Sequence, residues 1–196
     1  MTLTRVGGKE DGGIDLLGWW WVPCMDSSVE DVEFSARRRV RVVAQCKAER
    51  KKIGPKYVRE LEGVVYRHMD KSMVPQDAVE SGNETQHKSI VALFISESPF
   101  TKSALLRAMS STVPFLLVHI PPMPSNTKLE TEMNEIGTVV WNPALGAGSG
   151  LLQGKMEVRW TRGLGDTGFP TMWCKGRLVP SINLHVGMSS AFRGSK

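Results

Sequence analysis

The chain has 196 residues, a net charge of +5, and 41% hydrophobic against 23% charged residues. That balance supports one folded α/β-sized domain and excludes a globally disordered chain. No apolar run approaches the ~20 residues of a membrane helix; the longest, Val113 to Ile120, is strand-length.

The basic surplus is local. Arg37, Arg38, Arg39, Arg41, Lys47, Arg50, Lys51, Lys52 and Lys56 crowd one stretch, and Asp26, Glu30, Asp31 and Glu33 precede it. Such a cluster is compatible with a polyanionic partner. The three cysteines, Cys24, Cys46 and Cys174, are far apart and lack zinc spacing. They read as buried thiols in a reducing compartment. No secretory or transit segment is legible at the start.

In chain order, Ile14 to Val22 reads as a strand rich in Leu and Trp. The acidic stretch Pro23 to Ala36 connects it to a second strand, Arg38 to Lys47. Lys52 to Met69 reads as a helix with Gly54-Pro55 at its start, where proline is tolerated. Its Ile53, Tyr57, Leu61, Val64, Val65 and His68 recur at helical spacing and should face a sheet. Asp70 to Lys88 reads as a loop and Ser89 to Ser96 as a buried strand. Thr101 to Ser111 reads as a helix capped by Thr101, and Pro114 to Ile120 as another buried strand. Thr138 to Trp141 and Met156 to Trp160 are short strand candidates. The order β-β-α-β-α-β predicts a mixed sheet flanked by helices. After Gly163 the pattern fades and no element is assigned.

Candidate chemistry sits on the first two strands. Alternation puts Arg39, Arg41, Val43, Gln45 and Lys47 on one strand face. Gln45 and Lys47 therefore project together, about 7 Å apart. Asp15 follows Gly12-Gly13, where glycine lets a backbone or phosphate approach. Paired as a hairpin, the strands bring Asp15 to Gln45 and Lys47. An Asp15 carboxylate, the Gln45 amide oxygen and the Cys46 backbone carbonyl are hard oxygen ligands suited to Mg²⁺ or Mn²⁺. Lys47 is a compact cation for an attacked phosphate. The same residues also fit ordinary turn chemistry and a solvated strand edge. Lys51, Lys52, Lys56 and Arg59, around the helix start, could grip DNA phosphates or form a solvated face. Trp19-Trp20-Trp21 could stack on bases; Trp20 points opposite to its neighbours, so at least one face reads as core.

Val6 to Val65 resembles the Mrr-type restriction endonuclease family of the PD-(D/E)XK nuclease superfamily. The residues carrying this are Gly7-Gly8-Lys9-Glu10-Asp11-Gly12-Gly13-Ile14-Asp15, Val43-Ala44-Gln45-Cys46-Lys47, Ile53-Gly54-Pro55 and Val58-Arg59-Glu60-Leu61-Glu62-Gly63-Val64. More narrowly, Asp15-Leu16-Leu17-Gly18-Trp19-Trp20, Ile53-Gly54-Pro55-Lys56 and Val140-Trp141-Asn142-Pro143-Ala144-Leu145-Gly146 resemble a fungal mitochondrial branch required for respiratory growth.

The resemblance implies a restriction endonuclease-like α/β domain over 1–162 and an irregular tail over 163–196. It implies that Asp15 is the metal-binding aspartate, that Gln45 stands where many relatives have Asp or Glu, and that Lys47 is the catalytic lysine. The front helix usual in relatives, with its glutamate, has no counterpart in Met1 to Arg5; Glu10 or Asp11 are candidates to compensate. Metal-dependent DNA cleavage in mitochondria is the implied function, with DNA as partner, no membrane, and homodimerisation left open. A catalytically weakened DNA-binding domain and a structural factor of the respiratory apparatus are the alternatives.

Overall fold

The computed structural model describes residues 1–8, 13–23, 37–71, 90–122, 136–162 and 168–180. Its centre is a six-stranded mixed sheet in the order β1-β2-β3-β4-β5-β6. The strands are β1 (Thr2–Arg5), β2 (Leu16–Pro23), β3 (Arg37–Lys47), β4 (Ile90–Ser96), β5 (Phe115–His119) and β6 (Thr138–Trp141). β1, β2 and β3 pair antiparallel, β3, β4 and β5 parallel, and β6 antiparallel to β5. The parallel steps need crossovers. α1 (Pro55–Lys71) makes the first and α2 (Lys102–Met109) lies in the second. A mixed α/β architecture is therefore the fold, as the sequence predicts.

Alternation along β3 divides the core in two. Val43 packs with Ala92, Phe94, Phe115 and Leu117 against Val58, Leu61 and Val65 of α1 and Ala104 and Ala108 of α2. Leu61 is fully buried, worth roughly 1.5–3 kcal/mol. On the other face Val40, Val42 and Ala44 join Trp20, Val22, Val91 and Leu93. That face is covered by Leu145 of α3 (Pro143–Gly146) and by Met156 and Cys174. The last two belong to a second, antiparallel sheet of β7 (Met156–Arg162), β8 (Gly168–Cys174) and β9 (Arg177–Leu178).

Four expectations change. Met1 to Arg5 holds an edge strand, and Gly18 lets it approach: a Cβ there would sit 1.9 Å from the Thr2 carbonyl oxygen. β8 and β9 lie in the stretch where the sequence shows no element. Pro170 argues against a central strand, but β9 pairs only with Trp173 and Cys174, leaving Pro170 on an edge that tolerates it. The first long helix begins at Pro55 rather than Lys52, because Ile53 is drawn into a bridge with Phe100. Cys46 is exposed rather than buried, while Cys174 is buried as expected. Cys24, Glu10, Asp11 and most of the loop expected over Asp70 to Lys88 lie outside the described residues.

Candidate active site

Asp15 stands immediately before β2. The register pairs Leu16 with Ala44, so one step further along the antiparallel pair Asp15 faces Gln45. Main-chain bonds hold it there: the Asp15 N–H donates to the Ala44 carbonyl at 3.0 Å, and the Val6 N–H donates to the Asp15 carbonyl at 2.9 Å. The side chain then takes over the ladder. Asp15 Oδ2 accepts the Cys46 N–H at 2.7 Å. A charged acceptor on a backbone donor is among the stronger protein hydrogen bonds. It ties the carboxylate to the strand that carries Gln45 and Lys47.

Gln45 is 5% exposed, and its Oε1 is buried without a hydrogen-bond partner. A buried oxygen with no donor costs about 1–3 kcal/mol. Among the described residues three buried side-chain atoms lack a partner, and the other two, Trp21 Nε1 and Arg107 Nε, are donors. An unpartnered acceptor on the residue opposite Asp15 is one that a cation would satisfy. Gly13, at φ +89°, comes close to this amide: a Cβ there would lie 3.3 Å from Gln45 Nε2. The positive φ and this close approach both favour glycine at that position.

Lys47 follows on the same face. Its Nζ lies 5.6 Å from the centroid of the Tyr57 ring, within cation–π range. The Tyr57 hydroxyl donates to Glu49 Oε1 at 3.0 Å. Lys47 makes no ion pair among the described residues. Its ammonium is thus oriented by α1 without being neutralised. Tyr57 reads from helical spacing as a core residue; only the fold places its ring beneath the lysine.

The donors fit a hydrated Mg²⁺ or Mn²⁺: one carboxylate, one neutral amide oxygen and the Cys46 carbonyl, with water completing the shell. No group of three or more His, Cys, Asp and Glu side chains with metal-site spacing occurs among the described residues. Beside this pair, the carboxyl ends of β3, β4 and β5 open into a cleft of about 410 Å³ lined by Cys46, Lys47, Ser96, Glu97 and Pro121. Such strand ends are the usual ligand side of parallel sheets. Asp15 and Gln45 do not line it; Cys46 and Lys47 belong to both. Cys46 also senses the site. Desolvation at its sulfur, then the charge of Asp15, push the thiol above its ordinary value.

The helix-start cations are dispersed. Lys51 and Lys52 are exposed ahead of α1. Lys56 pairs with Glu60 at 3.6 Å, an exposed pair worth under about 1 kcal/mol. The Arg59 Nε donates to the Pro55 carbonyl at 3.4 Å, which turns it along its own helix.

The chain belongs to the family described as required for respiratory growth protein 7. The match covers residues 1–143, the whole six-stranded sheet and the candidate site with it. An uncharacterized mitochondrial protein of Schizosaccharomyces pombe is 44% identical over 61 residues, 31% of this chain and 21% of that relative's length. The matched part is thus about a fifth of the relative. No solved structure matches the chain. The respiratory-growth branch and the mitochondrial placement expected from the resemblance agree with these two names. No helix among the described residues is long and apolar enough to cross a membrane.

Proposed function

We propose that this respiratory-growth family member is a metal-dependent deoxyribonuclease of the PD-(D/E)XK type acting on mitochondrial DNA. One observation carries the reading. The Asp15 carboxylate is tied to the Cys46 N–H, and Cys46 stands between Gln45, whose buried oxygen lacks a partner, and Lys47, whose ammonium makes no ion pair among the described residues.

In this reading Asp15, Gln45 and the Cys46 carbonyl hold Mg²⁺ or Mn²⁺. The ion, when bound, supplies a Lewis acid and lowers the pKa of water. The chain's own residues do the rest. The Cys46 N–H fixes the carboxylate. Lys47, steadied over Tyr57, stabilises the negative charge that grows on the phosphate oxygens and orients the attacking water. Lys51 and Lys52 hold flanking phosphates.

The test is cleavage of linear, nicked, branched and methylated DNA with Mg²⁺, Mn²⁺ or chelator. Cleavage should need the metal, and Lys47→Ala should lower its rate about 10²–10³-fold, the usual effect of removing one such electrostatic partner. DNA affinity should fall far less. Full cleavage by Lys47→Ala would sink the catalytic assignment.

A second reading has its own support. Gln45 is neutral where the resemblance to Mrr-type nucleases implies an acid, and the donor set holds a single carboxylate. A DNA-binding domain with weakened chemistry would look the same. DNA binding with no cleavage of any form would select it, and no DNA binding would select a structural role in respiratory growth.

A further inference from the structure

A second constellation shares the sheet face of Gln45 and Lys47. The register sets Trp19 opposite Arg41 and Trp21 opposite Arg39. Alternate residues of a strand leave the same face, so Arg39 and Arg41 project with Val43, Gln45 and Lys47. The Arg39 guanidinium lies 5.0 Å from the Trp19 ring centroid and 5.8 Å from that of Trp21; Arg41 lies 5.0 Å from Trp19. Arg39 is exposed, and the other three are half-buried.

A single stacked pair would stabilise an open sheet face by ~0.5–1 kcal/mol. This arrangement differs in two ways. It crowds two like charges over the shared Trp19 indole, which costs Coulomb energy. Neither guanidinium pairs with a carboxylate among the described residues, whereas Arg107 pairs with Glu62 and Arg159 with Glu157. A guanidinium lying on an indole has its plane set before any ligand arrives. With no carboxylate among the described residues on its in-plane N–H fork, that fork can take a phosphate bidentately, with less entropy to lose.

We propose that Trp19, Trp21, Arg39 and Arg41 form a clamp for the phosphate backbone of a DNA duplex running from the Asp15–Gln45–Lys47 site. The proposal rests on the nucleic-acid reading above; since Val43, between Arg41 and Gln45, is buried beneath α1, it takes the DNA past that helix on the β2 side. At the strand rise, Arg41 is about 13 Å and Arg39 about 20 Å from Gln45. With one phosphate per ~3.4 Å of each strand, the clamp meets DNA about four to six base pairs from the site.

The experiment measures equilibrium binding of fluorescent hairpin duplexes with stems of 5 and 15 base pairs, in chelator, from 50 to 300 mM KCl. It compares the unmodified chain, the double variant Arg39→Gln/Arg41→Gln and the charge-keeping double variant Arg39→Lys/Arg41→Lys, each checked for an unchanged thermal melt. Expected for the Gln variant is a loss of at least tenfold on the long stem at low salt, with the log affinity–log salt slope smaller by roughly 0.9 for each phosphate left without its arginine. The short stem reaches Arg41 at about four base pairs but not Arg39 at about six, so it should lose less affinity than the long one. The Lys variant should keep the slope but bind the long stem several-fold more weakly, since it keeps charge and loses the fork. Should the Gln variant fail to fold, the Lys variant decides: long-stem binding equal to the unmodified chain overturns the clamp. Unchanged affinity and slope in the Gln variant, or equal losses on both stems, overturn it as well while leaving DNA binding intact. If the unmodified chain binds neither stem, the nucleic-acid reading fails and the clamp with it.

Discussion

At the scale of single residues, Asp15 does two jobs that substitution can separate. Its Oδ2 accepts the Cys46 N–H, and its charge raises the Cys46 thiol. Asn keeps a side-chain oxygen for the N–H but loses the charge. Asp15→Asn should therefore keep the fold, lose Mn²⁺ binding by calorimetry, and speed alkylation of Cys46 near pH 8.5, read by peptide mass spectrometry. The sign follows from the cause: removing a negative neighbour lets the thiol ionise at lower pH, and the thiolate is the reactive form. Unchanged Mn²⁺ affinity would count against the metal role. Gln45 predicts the opposite effect. Its Oε1 is the orphaned acceptor, so Gln45→Glu should strengthen metal binding by adding an anionic ligand. Weaker Mn²⁺ binding in Gln45→Glu would mean that this oxygen does not meet the ion.

At the scale of elements, several residues that mark the family in the sequence hold the fold and stay away from chemistry. Asn142 is 1% exposed. Its Nδ2 lies within 3.0 Å of the carbonyls of Ala108, Ser111 and Val113, and its Oδ1 accepts the N–H of Phe115 and of Leu145. One side chain thus ties the end of α2, the start of β5 and the cap of α3. Asn142→Ala strands several of these groups, at about 1–3 kcal/mol each. A loss of roughly 3–5 kcal/mol is expected by urea unfolding, and less than 1 kcal/mol would show that the hub is dispensable. Gly146 follows the same logic, since a Cβ there would meet the Trp141 indole at 2.3 Å. Ile53 anchors the approach to α1: its N–H donates to Pro99, and its carbonyl accepts both the N–H and the hydroxyl of Thr101.

At the scale of the molecule, the basic run divides its labour. Arg38 donates to the Leu151 carbonyl at 2.6 Å and Arg37 to the Pro180 carbonyl at 3.2 Å, so both tie β3 to the segments flanking the second sheet. Arg39 and Arg41 lie on the indoles, Lys47 at the site, and Lys56 against Glu60. Arg50, Lys51 and Lys52 are the exposed cations of the run left to screen a polyanion. Removing Lys51 and Lys52 together should lower the log–log salt slope by roughly 0.9 for each phosphate they neutralise. An unchanged slope and affinity would make the helix approach a solvated face.

The sequence by itself determined the order of the central elements, because buried strands leave short continuous apolar runs and an amphipathic helix a 3.6-residue period, both legible without any neighbour. It also determined the pairing of Gln45 with Lys47, since alternation depends only on the strand. Tertiary structure alone decided the remainder. β1 exists because Gly18 admits it, and β8 because β7 and the second core cluster give its weak pattern a surface to cover. The burial of Gln45 with an orphaned oxygen, Tyr57 beneath Lys47, and the stacking of Arg39 and Arg41 on Trp19 and Trp21 all arise between elements distant in sequence. Local pattern records which face a residue takes; what it meets there depends on register and packing, which no short stretch of chain encodes.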